Sequence, residues 1–248
     1  YSKQDPECCG TAFVRVGTTQ RALTRQYDAI IARLQAANPN YNYIVPSRNV
    51  YDRLTDIDAS LNAGNKIGGA SLRVKWDVGP GTFTSITAWR FWDWLPENDR
   101  DFTGASVVAR SQNPSQQDQY SQEFRYNYEG DKIDFVAGLF GFRQRIDTQG
   151  TEQQGIDATR YSLAPSTDPT NVYNRPEVLN GLTASNTQFL KADSAAFYGQ
   201  LSYKLTPELT IQPGIRVNYD KKEGFYHRVV STGAGQVITS CAPTATAG

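Results

Sequence analysis

The sequence predicts an all-β chain: about six antiparallel strands of a transmembrane β-barrel, a part of one rather than a closed whole, with long extracellular loops and one short loop helix. Three observations predict it. Strand-length segments alternate apolar and polar residues with period two. Short connections alternate with long ones along the chain. Aromatic residues gather at the ends of the alternating segments, where the amphipathic rings of a barrel meet the membrane interfaces.

The alternation is clearest in ADSAAFYGQLSYKLTPELTIQPGIRVNYDKKEG, residues 192–224. Ala195, Phe197, Gly199, Leu201, Tyr203 and Leu205 share one parity, and Ala196, Tyr198, Gln200, Ser202 and Lys204 the other. After the turn Thr206-Pro207-Glu208, Leu209, Ile211, Pro213, Ile215, Val217 and Tyr219 share one face, opposite Thr210, Gln212, Gly214, Arg216 and Asn218. Proline presets φ for such a turn. The result is a hairpin apolar on one side, and its second strand has the roughly 9–11 residues that a tilted membrane strand needs.

Taken in order, residues 1–65 form a long loop region. Within RALTRQYDAIIARLQAANP, Leu23, Tyr27, Ile30, Ile31 and Leu34 fall on one helical face and Asn38-Pro39 ends the run, which predicts a short amphipathic helix. Asp56-Ile57-Asp58 has no third acid at the next alternate position and no loop glycine, so it reads as a solvated acidic turn and not as a calcium loop.

Strand patterning occupies 66–224. Leu72, Val74 and Trp76 alternate with Arg73, Lys75 and Asp77 before Gly79-Pro80-Gly81 turns the chain. In TFTSITAWRFWDWL both parities hold aromatic residues, and its faces stay unassigned. A polar loop follows over 96–116. Tyr120, Gln122, Phe124, Tyr126 and Tyr128 then oppose Ser121, Glu123, Arg125 and Asn127. A short turn at 129–132 leads into IDFVAGLFGFRQRID, where Gly138 and Gly141 mark a bend or a close approach. Residues 148–188 form the longest irregular stretch, and 225–248 a truncated extracellular loop. The connections thus run short, long, short, very long, short, long, as between the two rims of an outer-membrane barrel. A soluble β-sandwich also alternates, but its loops are rarely so lopsided.

Composition removes several function classes. Lys plus Arg and Asp plus Glu number 25 each, so no positive field draws nucleic acid and none is expected as a partner. No apolar run approaches the roughly 18 residues of a transmembrane helix, a test that barrel strands escape. The chain has no methionine and no leader pattern, and is expected to be a piece of something longer. Cys8, Cys9 and Cys241 are too few and too oddly spaced for a disulfide scaffold or a zinc site, which leaves a loop disulfide and, with it, an oxidising compartment.

An enzyme is not expected. The carboxylates Asp99, Asp101, Glu123, Asp193 and Asp220 single out no pair, His227 falls in a loop without a second histidine or a nucleophile elbow, and no phosphate loop is present. No cofactor and no metal are expected. What remains is binding. In a barrel, the polar parity that carries Glu123, Arg125, Gln200, Lys204, Arg216 and Asn218 lines the lumen. Glu123, Arg125 and Arg216 are the lumenal candidates for ligand contact, and Trp92, Trp94, Arg100 and Asp101 the candidates from the loops. For the two tryptophans, anchoring at the membrane interface is the expected role.

Three runs in order, TSITAWRFWDW, YSQEFRYNYEGDKIDFVAGLFGF and AAFYGQLSYKLTPELTIQPGIRVNYDKKEG, resemble the barrel of TonB-dependent outer-membrane receptors. That family repeats a TSITAYR strand, an SQELR strand followed by a turn and DYVAGL, and a hairpin ending like GLRYTYDKKE. The resemblance covers residues 71–224, the central portion of such a barrel. The family folds an N-terminal plug inside about 22 strands; only six strands, no plug and no TonB-box are recognisable here. The resemblance therefore implies an internal portion of a receptor in the outer membrane of a Gram-negative bacterium, in contact with outer-membrane lipid. It implies import of a scarce small-molecule nutrient (an iron-siderophore, vitamin, sugar or peptide) driven by the TonB complex through the plug of the parent chain. The alternative is a soluble or surface β-sheet module binding carbohydrate or another ligand on an aromatic platform.

Overall fold

The structure, a computed structural model, describes residues 1–7, 11, 22–23, 26–41, 47, 49–163 and 166–239. Cys8, Cys9 and Cys241, and with them the expected disulfide, lie outside the described residues. Among the described residues no helix is long and apolar enough to cross a membrane.

One antiparallel sheet organises the chain: β1 (Ser2–Gln4), β2 (Ala63–Val78), β3 (Gly81–Pro96), β4 (Val108–Gln112), β5 (Ser115–Glu129), β6 (Ile133–Gln154), β7 (Thr183–Lys204), β8 (Thr210–Ile211) and β9 (Gly214–Ser231). The long strands β2, β3, β5, β6, β7 and β9 pair successively as an up-and-down meander. β1 joins the edge of β2, β4 folds back onto the far end of β6, and β8 covers the near end of β7. The sheet is open, and its six long strands are the six that the alternation predicts. Their tight connections all lie at one end, where Gly79, at φ 60°, supplies a left-handed residue to the β2–β3 turn. The long connections, over 97–114 and 155–182, lie at the other.

Three strand ends differ from expectation. β6 runs on to Gln154, β7 begins at Thr183, and β9 continues to Ser231. The segments 148–154 and 183–188 are largely polar on both parities, and in 221–231 Phe225, Tyr226, Val229 and Val230 fall on both, so no alternation announces them. The backbone ladder between Gln153↔Thr183 and Thr183↔Ser231 holds them as strand all the same. In the last hairpin, Pro213 offers no N–H to the ladder and separates β8 from β9, though its carbonyl still accepts from the Leu201 N–H at 2.9 Å.

The registers decide the faces. Leu72 and Val74 on β2 lie on the side of Phe83, Trp89 and Phe91 on β3, Tyr120, Phe124 and Tyr126 on β5, Phe135 and Leu139 on β6, Phe197 and Leu201 on β7, and Ile215, Val217 and Tyr219 on β9. The opposite side carries Arg73, Thr84, Glu123, Arg125, Tyr198, Gln200, Arg216 and Asn218. Burial is inverted relative to a soluble fold. Leu72, Leu139, Val217 and Tyr219 on the apolar face are 65%, 56%, 58% and 66% exposed, whereas the buried non-glycine residues of the six long strands, Thr84, Ser115, Thr148, Ala192 and Ala196, all lie on the polar face. The sheet curls around its polar side.

Farther from the tight turns, the apolar face gives way to charge. Arg143 pairs with Asp193 at 2.6 Å, Lys191 with Asp193 at 3.3 Å, Arg145 with Asp147 at 2.6 Å, and Lys221 with Glu223. The apolar residues therefore form a band bounded by tight turns on one side and by this ionic ladder on the other.

Beyond the ladder the long connections build a small core of their own. The helix α1 (Tyr27–Ala37) buries Ile30, Ile31 and Leu34 against Ala105, Val107, Val108 and Ala158, the last opening the short helix α2 (Ala158–Ser162). Asn38 ends α1 as expected, its N–H reaching the Leu34 carbonyl at 2.8 Å. Leu23, expected on the apolar face of this helix, lies outside α1 and is exposed. Arg33 ties the two helices, its guanidinium donating to the Arg160 carbonyl at 3.0 Å.

Of the two glycines of β6, Gly138 is the close approach. A Cβ there would lie 2.4 Å from the ring of Tyr198, whose hydroxyl donates to Glu123, whereas a Cβ at Gly141 would meet nothing within 4 Å. We expect Gly138→Ala to cost about 1–3 kcal/mol by displacing that ring and Gly141→Ala to be neutral or stabilising, as measured by urea unfolding; equal losses would contradict the close packing.

Candidate functional site

Three groups of side chains lie along the polar face and above it. The first is mid-strand. Tyr198 on β7 donates its hydroxyl to the Glu123 carboxylate on β5, and the Arg216 guanidinium on β9 lies 5.8 Å from the centre of the Tyr198 ring while its Nε donates to Asn218 Oδ1 at 2.8 Å. Arg125 faces Thr84 across the β3–β5 ladder, and the Arg125 Nε and Thr84 Oγ1 are both buried without a hydrogen-bond partner among the described residues. Buried donors are nearly always satisfied in folded proteins. The structure thus brings Glu123, Arg125 and Arg216 onto one surface, as expected, with hydrogen-bonding capacity left over.

The second group is a cleft of about 520 Å³ where the polar face meets the long connections, lined among others by Trp94, Arg100, Gln112, Glu152, Asn186 and Arg228. Arg100 reaches across to Glu152 at 2.8 Å, and Asn186 Oδ1 is buried without a partner among the described residues. Arg228 is exposed, and no described carboxylate pairs with it. Trp92 and Trp94 stack at 5.6 Å with rings 14° apart, and Trp92 Nε1 donates to Asn65 Oδ1 at 2.5 Å. Both belong to the polar parity of β3, opposite the face of Trp89 and Phe91. Their parity was unreadable because Trp89 and Phe91 occupy the other face of the same strand. Sequence reasoning missed Glu152, Asn186 and Arg228, which sit on polar strand ends that no alternation marks.

The third group is acidic and lies in the cap. Carboxylate oxygens of Asp58, Asp99 and Asp101 lie within 4.8 Å of one another. Asp99 is 0% exposed, and neither of its oxygens has a hydrogen-bond partner among the described residues. Asp101 accepts from the Thr103 hydroxyl at 2.6 Å and from the Val108 N–H at 2.7 Å, so it shapes the loop as well as facing the cluster. Phe102 between them adopts φ 57°, a left-handed conformation uncommon for a residue with a side chain. Asp56 is 7% exposed and accepts from the Tyr41 hydroxyl at 3.2 Å. The acidic turn expected to be solvated at 56–58 is solvated only in part: Asp58 is exposed as expected, Asp56 is buried, and the acids missing from its own sequence come from 99 and 101, some forty positions along.

Electrostatics follow from this geometry. Burial pushes the Asp58 carboxyl up to about 7, helped by the charges of Asp101 and Asp99, and pushes Asp99 up to about 6, helped by Asp101 and Asp56. Asp101 is raised by burial too, and Asp157 adds repulsion to both Asp58 and Asp101. Arg100, the cation next in sequence, is engaged by Glu152. His227, expected in a loop, sits on β9, its ring centre 6.2 Å from that of Phe225.

Fold and site together define a class: a stretch of β-barrel wall, apolar outside and polar inside, topped by an ordered cap. No protein-family model and no curated protein matches the chain. Among solved structures it is similar to the ferric yersiniabactin uptake receptor FyuA from Yersinia pestis, with a TM-score of 0.51 and 20% identity over 72% of this chain and 23% of that one. The chain thus spans less than a quarter of that receptor's length, and the likeness is one of fold: an open portion of a β-barrel.

The raised carboxyls give the cap a pH dependence. Unfolded aspartates titrate near about 3.9, so in chelator-treated buffer the stability contributed by Asp58 and Asp99 is fully present below about pH 4 and is lost as pH rises through about 6 to 7. Hydrogen-exchange protection over 97–107, corrected for intrinsic rates, is expected to be higher at pH 5 than at pH 8; the reverse order would contradict the burial of these groups.

Proposed function

We propose that this chain forms part of the wall and outer vestibule of a TonB-dependent outer-membrane transporter, and that the cleft at the cap end of the lumen belongs to the route of a small nutrient from the cell surface. The observation that carries the reading is the inverted sheet: a band of exposed apolar side chains on one face, from Leu72 to Tyr219, and arginines, glutamate and tyrosine on the other. Such a band is stable against lipid and is a liability in water, where exposed apolar patches of this extent drive association. That weighs against the soluble binding module.

On this reading the tight turns face the periplasm and the cap faces outward, so the cleft lies where a ligand arriving from outside meets the lumen. The spare hydrogen-bonding capacity of Arg125 and Thr84 fits a plug from elsewhere in the parent chain, through which the TonB complex would act. Arg228, exposed and without a carboxylate partner among the described residues, suits a ligand rich in negative oxygen, and Trp94 offers it a flat face. Ferric siderophores combine these properties, and FyuA is itself an uptake receptor for ferric yersiniabactin.

In cells carrying the full-length protein, it is expected in detergent-extracted outer membranes, with uptake of one of a panel of radiolabelled ferric siderophores that ceases when TonB is deleted. Trp94→Ala and Arg228→Ala are each expected to weaken binding of that siderophore by roughly 10- to 30-fold, leaving the yield of folded protein unchanged. Recovery of a soluble monomer, or uptake indifferent to TonB, would overturn the proposal.

A further inference from the structure

The acidic group in the cap is not accounted for by transport. Asp58 comes from the segment before β2; Asp99 and Asp101 come from the connection after β3. One carboxylate oxygen from each lies no more than 4.8 Å from the other two, close enough for all three to meet one ion bound at roughly 2.4 Å. Asp99 carries the inference furthest. It is fully buried, faces two other carboxylates, and neither oxygen has a well-formed hydrogen bond among the described residues; the backbone N–H groups of Asp101 and Phe102 lie near enough only to offset part of the burial. A charge placed so is costly unless a positive charge or a donor meets it. The charges that act on Asp99 are those of Asp101 and Asp56, and on Asp58 those of Asp101, Asp99 and Asp157, all negative. The nearby guanidinium of Arg100 is held on Glu152.

We propose that Asp58, Asp99 and Asp101 bind a calcium ion that staples the segment before β2 to the loop after β3. The donor set is all oxygen and sits on irregular loop backbone, which suits a hard cation tolerant of variable geometry; magnesium demands a tighter octahedron and releases its water reluctantly. Asp99 is the buried anchor, Asp101 is pre-oriented by Thr103 and Val108, and the more exposed Asp58 closes the site from the other segment. Water fills the remaining coordination positions. With three carboxylates on irregular backbone from two segments, affinity is expected to be weak, in the range of about 10⁻⁴–10⁻³ M. None of the three carboxylates lines the cleft, although Asn98 and Arg100 on either side of Asp99 do, and the proposal does not rest on the transport reading.

The test uses the full-length protein, purified and stripped with chelator, with calcium chloride and magnesium chloride as probes. Equilibrium binding of radioactive calcium is expected to saturate at one ion per chain, with protection from hydrogen exchange rising over both 56–60 and 98–108. Asp99→Asn removes the buried charge at nearly constant shape. It is expected to weaken calcium binding at least tenfold while leaving the metal-free cap as protected as in the wild type or more so, which separates loss of a ligand from loss of folding. Asp58→Asn should uncouple the two segments, so that calcium no longer protects 56–60. Asp168→Asn, in an exposed loop, should change nothing. No calcium bound at about 5 mM, magnesium bound as tightly as calcium, or calcium binding unaffected by Asp99→Asn would each overturn the proposal.

Discussion

The pairing of β6 with β7 is the interaction on which the rest of the structure depends. It runs unbroken from Ile133↔Tyr203 to Gln153↔Thr183, and every other part of the sheet is attached to it: β5 on one side, β9 on the other, and β4 on its far end. Its two halves have different chemistry. From Ile133 to Gly141 the outward residues are apolar and pack with Phe197 and Leu201. From Arg143 to Asp147 they are charged, and beyond that Gln149, Thr151 and Gln153 are neutral and polar; the backbone ladder, joined by the Arg143–Asp193 pair, the Phe189–Phe225 stack and the Gln153–Thr183 side-chain hydrogen bond, carries the strands onward to the cap. The cleft exists because these ladders outlast the apolar band, lifting Glu152, Asn186 and Arg228 above it to where Arg100 and Trp94 arrive from β3 and its following loop.

Curvature then sorts the side chains. A sheet that curls around one face crowds that face, and small or hydrogen-bonded residues fill it: Thr84, Ala192, Ala196, and Gly138 beneath the ring of Tyr198. The outer face spreads and leaves Leu, Val and Phe uncovered. In water this arrangement inverts the usual hydrophobic driving force; against lipid it becomes the ordinary arrangement of a barrel wall. The polar face, in turn, needs partners for Arg125 and Thr84, and the cap needs something to meet the carboxylates of Asp99. Both are cases in which the described residues stop short of satisfying a buried group.

Much of the sheet was legible because alternation is a local signal. Leu72 to Asp77, Tyr120 to Tyr128 and Ala195 to Tyr219 each show their two faces in the sequence, and their registers carry those faces across the sheet. Residues 82–95 were illegible because aromatic rings lie on both sides of β3, and only pairing with the legible neighbours β2 and β5 assigns Trp92 and Trp94 to the polar face. The strand extensions were invisible because those of β6 and β7 are polar on both sides and that of β9 carries Phe225, Tyr226, Val229 and Val230 on both parities. The acidic group was hidden for another reason: Asp56-Ile57-Asp58 fails every local test for a cation loop, and its missing ligands arrive through tertiary structure. The core of α1 was half legible, since Ile30, Ile31 and Leu34 show helical spacing while Ala105 and Val107, which they touch, lie in a stretch without periodicity.

The most direct measurement of the central claim, that the apolar face meets lipid and the polar face an aqueous or plugged interior, is nitroxide accessibility. In the full-length protein reconstituted in bilayers, with the native cysteines replaced by serine, labels at Leu139→Cys, Phe197→Cys and Val217→Cys should collide with oxygen and be shielded from a water-soluble nickel complex. Labels at Gln200→Cys and Asn218→Cys should be protected from oxygen. Equal accessibility of the two sets to the nickel complex, or the opposite ordering, would contradict a sheet whose apolar face is a membrane surface.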